Sequence, residues 1–278
     1  MTAPPDSKIE QAAAQAAARR IEQRIDLSRN GTVAPESPAG QAAAQRIEQR
    51  IEQRIEQRTD PAPEENENPH DRPVRILGIG GTTSARSWSL VPLEAALAKV
   101  RDLGGETTLA TVYDLNLPLF HTEWRLEDYP PTLAWLLDEV RRADGLILCS
   151  PTYHGTISGA IKNVIDTLIF LGWDTPPYLA GKPVGLMAYG GMTSMGVLQA
   201  LTNCVRGLKG ISVPTHVAVP EDAIDRANVA LNSQKIERRL DLMVAEIVSF
   251  ASHLRGRHAV PAITAPYRSQ SATGTGTG

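Results

Sequence analysis

The segment SPTYHGTISGAIKN, residues 150–163, joins two stretches of different character. Before it, the short apolar run Gly145–Cys149 is typical of a buried parallel strand. After it, apolar residues recur with the spacing of one helix face, at Ile157, Ile161, Val164, Ile165, Leu168 and Ile169. Residues Pro151–Gly155 are therefore predicted to form a loop between a strand and a helix, at the carboxyl end of the strand.

This loop is suited to a planar ligand. In open α/β sheets, ligands bind at the carboxyl edge, near the point where the strand order reverses. Pro151 and Gly155 restrict and release the backbone at fixed places, while Tyr153 and His154 offer flat rings. Such a loop suits a planar ring system better than a metal ion. An ordinary tight connection between a strand and a helix is the alternative.

Strands and helices alternate from Pro73 onward. The strands are predicted at Val74–Gly80, Glu106–Tyr113, Gly145–Cys149, Lys182–Tyr189 and Ser212–Val219. Helices are predicted at Ser87–Arg101, Thr132–Arg142, in the stretch after Gly155, at Met195–Leu208 and at Ile224–Leu254. Units of strand and helix in series predict a parallel sheet with helices on both faces.

A hydroxyl-rich loop, GGTTSARSWS at residues 80–89, follows the first strand and leads into a helix. Glycines let the backbone approach a ligand closely, and amides at a helix start attract an anion. The hydroxyls and one arginine add donors, a composition suited to a terminal phosphate monoester. The candidate phosphate-binding residues are Thr82, Ser84, Arg86, Ser87 and Ser89. The alternative is an N-capping turn rich in Ser and Thr.

Two other nucleotide-binding motifs fit this loop poorly. The dinucleotide fingerprint GxGxxG matches at Gly78 and Gly80 but has Thr83 at its third glycine position. Asp114 lies further along the chain than the ribose-binding acid of that fingerprint. A P-loop would require Gly-Lys followed by Ser or Thr, and no such sequence follows. Neither motif explains the loop.

A third loop, YGGMTS at residues 189–194, follows the fourth strand. Its paired glycines, Gly190 and Gly191, leave room for the edge of a ring, although each loop taken alone is also compatible with a plain turn. In the flavodoxin-like strand order 2-1-3-4-5, strands one, three and four are adjacent. The three loops would then meet at one edge of the sheet. A phosphate loop beside a ring-shaped pocket describes a site for flavin mononucleotide, FMN.

These residues resemble the NADPH-dependent FMN reductase family, a flavodoxin-like group. The resemblance runs from about Val74 to Pro220. Its most specific part is the segment 150–163, which is close to the family's Ser-Pro-x-Tyr-x-Gly-x-x-x-Gly-x-x-Lys-Asn. Gly181–Val184 and Gly190–Gly191 also lie where the family places them. Nothing in the family resembles residues 1–72.

The phosphate loop departs from the family pattern. Family members carry Gly-Ser-x-Arg-x-x-Ser after the first strand, whereas this chain has Gly81–Ser87, GTTSARS. Ser84 occupies the arginine position, and Arg86 follows two residues later. The phosphate contacts expected of Ser84 and Arg86 therefore need a test of their own.

The resemblance implies an enzyme that transfers hydride from NADPH or NADH to noncovalently bound FMN. It places the flavin ring among Pro151, Thr152, Tyr153, His154, Gly155, Gly190 and Gly191. No side-chain nucleophile is expected, since the flavin carries the chemistry, and the scattered histidines predict no metal site. The resemblance also implies homodimers or homotetramers with the flavin near the subunit interface, and the apolar Phe170–Leu171 could supply that contact.

Other functions remain open. A tightly held FMN could pass electrons to a quinone, an azo compound or a metal, whereas a free-flavin reductase would supply reduced FMN to a flavin-dependent monooxygenase. A flavodoxin-type electron carrier without NAD(P)H activity is a candidate from another class. Carriers usually dock through strongly acidic surfaces, and the residues beyond Arg72 carry equal numbers of basic and acidic side chains.

Residues 1–72 form a low-complexity extension in which the sequence QAAAQ and the tetrad Ile-Glu-Gln-Arg recur. Ala, Gln, Glu and Arg favour helices, so partly helical segments are predicted at about 9–27 and 40–58. A solvated extension is one interpretation; the other is an arm whose stripe of Ile47, Ile51 and Ile55 docks on an unknown partner. Residues 73–258 are predicted as the flavodoxin-like FMN-binding domain, and residues 259–278 as a disordered tail.

The composition and the sequence limit which partners and which cellular compartment are expected. The net charge of −3 gives no reason to expect nucleic acid or an anionic membrane as a partner. No stretch approaches the roughly 20 apolar residues of a membrane span, and the amino terminus lacks the apolar core of a secretory signal. Cys149 and Cys204 are expected to be buried thiols rather than a disulfide. These observations predict a cytoplasmic protein.

Overall fold

A parallel sheet forms the centre of the structure, a computed structural model that describes residues 72–191 and 193–256. The strands are β1 Arg75–Gly80, β2 Glu106–Thr111, β3 Gly145–Tyr153, β4 Thr156–Ile157, β5 Pro183–Tyr189, β6 Ile211–Ser212, β7 Val217–Val219, β8 Ile224–Asp225 and β9 Ala230–Leu231. The main path is β2-β1-β3-β5-β6, with β7 also parallel to β5. The predictions for residues 1–71 and for the tail 259–278 lie outside the described residues.

Helices cover both faces of this sheet. They are α1 Leu90–Asp102, α2 Val112–Leu115, α3 Pro131–Arg142, α4 Gly159–Thr167, α5 Ser194–Gly207 and α6 Gln234–Leu254. Side chains of α3, α4 and α5 share one hydrophobic cluster, and those of α1 and α6 share the other. None of the helices in residues 72–191 and 193–256 combines the length and apolar character needed to cross a membrane.

The apolar run Gly145–Cys149 forms most of the central strand β3, which is buried on both faces. Leu146 and Leu148 belong to the cluster under α3, α4 and α5, whereas Ile147 and Cys149 belong to the opposite cluster. A strand with helices on both faces buries every side chain, so its sequence is continuously apolar rather than alternating. The expected doubly wound, flavodoxin-like sheet with strand order 2-1-3-4-5 is confirmed.

The fifth strand position is interrupted, so it consists of the two short strands β6 and β7. Pro214 lies between them and has no N–H to donate to the ladder. The next amide, Thr215 N–H, donates to Glu246 of α6 at 2.8 Å, and the Thr215 hydroxyl contacts the same carboxylate at 2.7 Å. A side chain of α6 thus binds the backbone that leaves the sheet.

The helix predicted from Ile224 begins only at Gln234, and the prediction for the preceding residues is wrong. These residues form an antiparallel hairpin of β8 and β9. The Asp225 carboxylate accepts hydrogen bonds from Ala227 N–H at 2.9 Å and from the Asn228 side chain at 2.6 Å, which closes the turn. These local bonds compete with helix formation, as Asp and Asn commonly do. The predicted second strand also ends early, at Thr111, because α2 begins there.

Candidate cofactor site

The three predicted loops lie side by side at the carboxyl edge of the sheet. Strand β3 runs between β1 and β5, with Ile79 paired to Leu148 and Pro151 paired to Tyr189. All three strands are parallel and end at the same edge. The phosphate loop, defined here as residues 81–89, therefore neighbours the segment after Cys149, which in turn neighbours Gly190 and Gly191.

The segment predicted as a plain loop is a small hairpin. Strand β3 continues through Tyr153, and Thr152 and Tyr153 pair antiparallel with β4. His154 and Gly155 form the turn with φ values of 50° and 80°. Positive φ at both central residues is the pattern of a type I′ hairpin turn, for which glycine is well suited. We call residues 151–157 the ring hairpin.

Two buried serines fasten the ring hairpin to the helix that follows it. The Ser150 hydroxyl donates to the Pro151 carbonyl at 2.8 Å and accepts from Ser158 N–H at 3.0 Å. The Ser158 hydroxyl in turn accepts from Ile161 N–H at 3.2 Å and caps α4. Neither serine was predicted from the sequence as a functional residue. Their signal was the spacing Ser-Pro…Ser-Gly directly before an apolar helix, which is typical of an N-cap.

Gly190 and Thr152 define the closest approach between the ring hairpin and the glycine-rich turn after β5. Gly190 has a φ of 138°, and a Cβ at this position would lie 2.9 Å from the Thr152 Cβ. The buried Thr152 Oγ1 has no hydrogen-bond partner among the described residues. A buried hydroxyl without a partner is costly to leave unsatisfied. We call the ring hairpin and the turn Gly190–Gly191 together the rim. The rim thus holds a hydroxyl whose missing hydrogen bond a ligand can supply.

The tip of the ring hairpin rests on the start of α5. A Cβ at Gly196 would collide with the Gly155 carbonyl oxygen, and a Cβ at Gly155 would lie 3.9 Å from the Thr193 Cβ. The Ser194 hydroxyl donates back to the Gly191 carbonyl at 2.8 Å. Gly196 is a further residue that the sequence did not identify. It lies inside a helix, where a glycine costs stability and therefore signals a close approach.

The base of the phosphate loop is packed against β3. A Cβ at Gly80 would lie 3.0 Å from the Cys149 carbonyl oxygen, and Gly81 has a φ of 95°. The Cys149 thiol donates to the Ser89 carbonyl at 3.2 Å. Burial raises the pKa of this thiol to about 12, so it is a packing group and not a reactive thiolate. The end of the loop is thereby held to the sheet.

The upper part of the phosphate loop faces solvent. Ser84 and Arg86 are exposed, while Ser87 is half-buried. The Thr82 hydroxyl accepts from Ser84 N–H at 3.2 Å, and the Ser87 and Ser89 hydroxyls contact each other at 2.9 Å. Within residues 72–191 and 193–256, Arg86 forms no ion pair. Hydroxyls and an uncommitted guanidinium on one loop are suitable donors for a phosphate.

Taken together, these residues fit a planar, singly phosphorylated group. Tyr153 is 51% exposed and His154 is also exposed, so both rings can contact a ligand at the rim. Thr152 and Gly190 lie beside them, and the phosphate loop supplies the anion donors. The strand order places the predicted site residues on three neighbouring loops at one edge of the sheet; they are Thr82, Ser84, Arg86, Ser87, Ser89, Pro151, Thr152, Tyr153, His154, Gly155, Gly190 and Gly191.

Other residues considered from the sequence lie in structural roles. The ring of His121 stacks on Trp124 with 5.4 Å between centroids. His216 Nε2 contacts the Ser212 hydroxyl at 2.8 Å at the interruption of the fifth strand position, and burial lowers the pKa of this histidine. The Asp114 N–H takes part in the cap of α2. Groups of three or more metal-ligating side chains do not occur in the described part of the chain.

Comparison with known proteins agrees with this geometry. Residues 74–223 match the family model of the NADPH-dependent FMN reductases. An FMN-dependent NADPH-azoreductase of Staphylococcus haemolyticus is 35% identical over 157 residues, which cover 53% of this chain and 80% of the relative. An FMN-dependent NADPH-azoreductase of Staphylococcus aureus is 36% identical over 159 residues, which cover 54% of this chain and 81% of the relative.

Solved structures share the fold at low sequence identity. A flavoenzyme NAD(P)H:(acceptor) oxidoreductase from Paracoccus denitrificans superposes with a TM-score of 0.53 at 16% identity, covering 65% of this chain and 98% of that one. An NADH:FMN oxidoreductase superposes with a TM-score of 0.51 at 20% identity, covering 66% of this chain and 91% of that one. At these identities the likeness concerns the fold alone.

Proposed function

Because the chain belongs to the NADPH-dependent FMN reductase family, we propose that the carboxyl edge of its sheet binds FMN and positions NADPH or NADH for hydride transfer. The family membership confirms the predictions of an enzyme, of NAD(P)H-dependent flavin oxidoreductase activity, and of FMN and NAD(P)H as cofactors. The observation that carries the placement is the contact of Thr152 with Gly190, where a buried hydroxyl without a partner faces a position that admits no Cβ.

The phosphate loop would hold the phosphate of FMN. Donors on this loop are the hydroxyls of Thr82, Ser84 and Ser87 and the guanidinium of Arg86. Ser89 is 1% exposed, and its hydroxyl contacts Ser87, so Ser89 acts through that neighbour. Since Arg86 has no ion pair within the described residues, its charge is available for the phosphate without the loss of an internal contact.

The ring hairpin and the glycine-rich turn would hold the flavin ring. The Thr152 hydroxyl and the nearby backbone amides can hydrogen-bond its polar edge, and Tyr153 can stack against its face. Bound FMN supplies the ring that accepts and passes on electrons. The described residues orient two planar groups and supply hydrogen bonds, and we assign none of their side chains as an acid, base or nucleophile.

A second candidate concerns the electron acceptor. The curated relatives are named FMN-dependent NADPH-azoreductases, which favours FMN held as a cofactor and a planar azo or quinone acceptor. In this structure Tyr153 of the ring hairpin is 51% exposed and Met195 at the start of α5 is 69% exposed. An aromatic ring and a polarisable thioether form a suitable surface for a planar acceptor.

Retention of FMN distinguishes these two functions. A yellow purified protein that keeps FMN through gel filtration supports the bound cofactor and a second acceptor. A colourless protein that turns over NADPH only with added FMN supports a free-flavin reductase that serves a monooxygenase. Absence of NADPH and NADH oxidation with FMN and every acceptor would leave the electron carrier, which the match to a reductase family disfavours.

We further propose a homo-oligomer that uses the outer surface after α4. Leu171 is 1% exposed and lies in the core, so the suggested contact through Phe170–Leu171 is only partly available. Trp173 is 94% exposed and Ile169 is 47% exposed nearby. Trp173→Glu should lower the mass measured by light scattering, while Lys209→Glu, at another exposed position, should leave it unchanged. An unaltered oligomer in Trp173→Glu would remove this surface from the proposal.

We also propose that the protein is cytoplasmic and that its extension, residues 1–72, is a docking arm. Cys149 and Cys204 are free thiols, which is common for proteins of the reducing cytoplasm. The extension would recruit the enzyme to an unknown partner. Deletion of residues 1–71 keeps Arg72, whose guanidinium pairs with Asp144 at 2.7 Å. This deletion should change assembly or localisation and leave turnover unchanged; loss of turnover would contradict a separate docking role.

A further inference from the structure

The hairpin of β8 and β9 lies beyond the part of the chain that matches the family. The match ends at residue 223, and the hairpin begins at Ile224. It packs beside α1, the helix that the phosphate loop leads into. Its role is therefore not explained by the features that define the family, and its position next to the phosphate loop calls for a physical account.

One side chain of this hairpin contacts the phosphate loop directly. The Arg226 Cζ lies 5.4 Å from the centroid of the Trp88 ring, within the range of a cation–π interaction. Trp88 stands between Ser87 and Ser89, whose hydroxyls contact each other at 2.9 Å. The Arg226 guanidinium also pairs with Glu221 at 3.1 Å, and both side chains are more than half exposed.

The hairpin is itself held firmly to the domain. Ile224 is 5% exposed, and Leu231 packs on the hydrophobic cluster that α1 and α6 share. Asn232 N–H donates to the Ala223 carbonyl at 3.0 Å across the base of the hairpin. Hydrogen bonds from Asn228 lower the pKa of the Asp225 carboxyl, so the turn keeps its charged acceptor at more acidic pH than an ordinary aspartate would. Arg226 is thus presented from a closed turn on a buried base.

The phosphate loop needs such support because its upper residues make few contacts. Residues 83–86 are exposed, and the described contacts there are within the loop itself. An anion site built on a mobile loop loses affinity, since binding must first order the loop. Trp88 packs against the cluster that α1 and α6 share, and the Cys149 thiol already holds Ser89, so a contact that restricts the Trp88 ring acts on the half-buried Ser87 and the residues before it.

We propose that the β8–β9 hairpin holds the phosphate loop in its binding conformation, with Arg226 and Trp88 as positioning residues for FMN. This inference rests on the proposed function, because it assumes that residues 81–89 bind the phosphate. Neither side chain is required to touch FMN. Their effect is to raise affinity by ordering the loop before the ligand arrives.

Hydrogen–deuterium exchange of the full chain without FMN tests the ordering step. Arg226→Ala should raise amide exchange at residues 82–88 severalfold, while exchange in β1 and β3 stays unchanged. Arg226→Gln, which keeps much of the side-chain length but not the charge, should behave like Arg226→Ala. Arg238→Ala, at an exposed arginine of α6, is the matched control and should leave the loop unchanged. Unaltered exchange in Arg226→Ala would overturn the inference.

FMN titration by fluorescence tests the consequence. Arg226→Ala and Trp88→Leu should each weaken FMN binding about 3- to 10-fold, and the double variant should lose less than the product of the two. Turnover of Arg226→Ala at saturating FMN should match the wild type, because positioning affects binding and not hydride transfer. Wild-type affinity in Arg226→Ala, with weakened affinity in Arg86→Ala, would refute the hairpin's role alone. Wild-type affinity in Arg86→Ala and Ser84→Ala as well would refute the phosphate assignment itself.

Discussion

Polar groups at the two edges of the sheet differ in whether they have hydrogen-bond partners within the described residues. At the amino edge, the Asp144 carboxylate accepts two hydrogen bonds from the Arg72 guanidinium, at 2.7 and 2.8 Å, and one from Arg75 N–H at 2.8 Å. At the carboxyl edge, the buried Thr152 hydroxyl has no partner within the described residues, and Arg86 is exposed. The Asp144 carboxylate thus has its partners without a ligand, whereas the Thr152 hydroxyl does not.

Lys182 is a second polar group at the amino edge that has internal hydrogen-bond partners. Its ammonium group donates to the carbonyls of Val140, Arg141 and Ala143, where α3 ends. The carbonyls at the end of a helix otherwise need water or a cap, so this half-buried lysine satisfies several of them. We therefore expect the amino edge to contribute to stability and the carboxyl edge to contribute to binding. Variants at the two edges should separate these properties.

The largest expected effect is at Gly190. Gly190→Ala places a methyl group 2.9 Å from the Thr152 Cβ at a φ of 138°, so the rim must move apart. We expect FMN binding to weaken by about 100-fold, roughly 3 kcal/mol, in a fluorescence titration. Gly207→Ala, at the far end of α5, is the control, because a Cβ there meets nothing within 4 Å. Equal affinities for the two variants would remove the rim from the site.

The next effect is the pH dependence of stability that comes from Lys182. Burial lowers the pKa of this ammonium group from 10.5 to about 8, with a smaller contribution from Arg72, while Asp144 opposes the shift. Between these values the unfolded chain binds more protons than the folded protein, so raising the pH stabilises the fold. The stability of the wild type relative to Lys182→Met should rise by up to about 3 kcal/mol over this interval.

Urea titrations at several pH values measure this difference. FMN affinity should not differ between the two proteins at neutral pH, since Lys182 lies at the amino edge. A stability difference that stays constant from pH 8 to 10.5 would show that the carbonyls of α3 keep the lysine charged throughout.

Asp144 should affect stability without affecting FMN. Asp144→Asn removes the charge that Arg72 and Arg75 N–H contact, and the 7% exposed side chain has little water to compensate. We expect a loss of about 2 kcal/mol in the free energy of unfolding. Asp138→Asn changes a more exposed aspartate that pairs with Arg141 and should cost less. A loss of FMN affinity in Asp144→Asn would break the contrast between the two edges.

Ser84 and Arg86 should give the smallest effect. Ser84→Ala and Arg86→Ala should each weaken FMN binding by about 1.5 kcal/mol, the lower end of the range for a hydrogen bond to a charged group. Hydride transfer at saturating FMN, followed by stopped-flow absorbance, should be unchanged. Arg206→Ala, at the far end of α5, is the control. Unchanged retention in both loop variants would show that the phosphate binds elsewhere.

The sequence predicted what depends on local pattern. The run Gly145–Cys149 identified the central strand because burial on both faces leaves a continuous apolar stretch. The hairpin after Ile224 was missed, since the turn formed by Asp225 and Asn228 competes with an otherwise helical pattern. The unsatisfied Thr152 hydroxyl could not be read from sequence, because it depends on the register that sets β3 beside β5.

Hydrogen–deuterium exchange of the full chain with and without FMN tests the central claim most directly. Three separated segments, 81–89, 151–157 and 189–194, should become protected together. The amino edge around Asp144 and Lys182 should be unaffected, since its polar groups already have partners. Protection of the amino edge, or of only one of the three segments when FMN is fully bound, would contradict a single flavin site at the carboxyl edge.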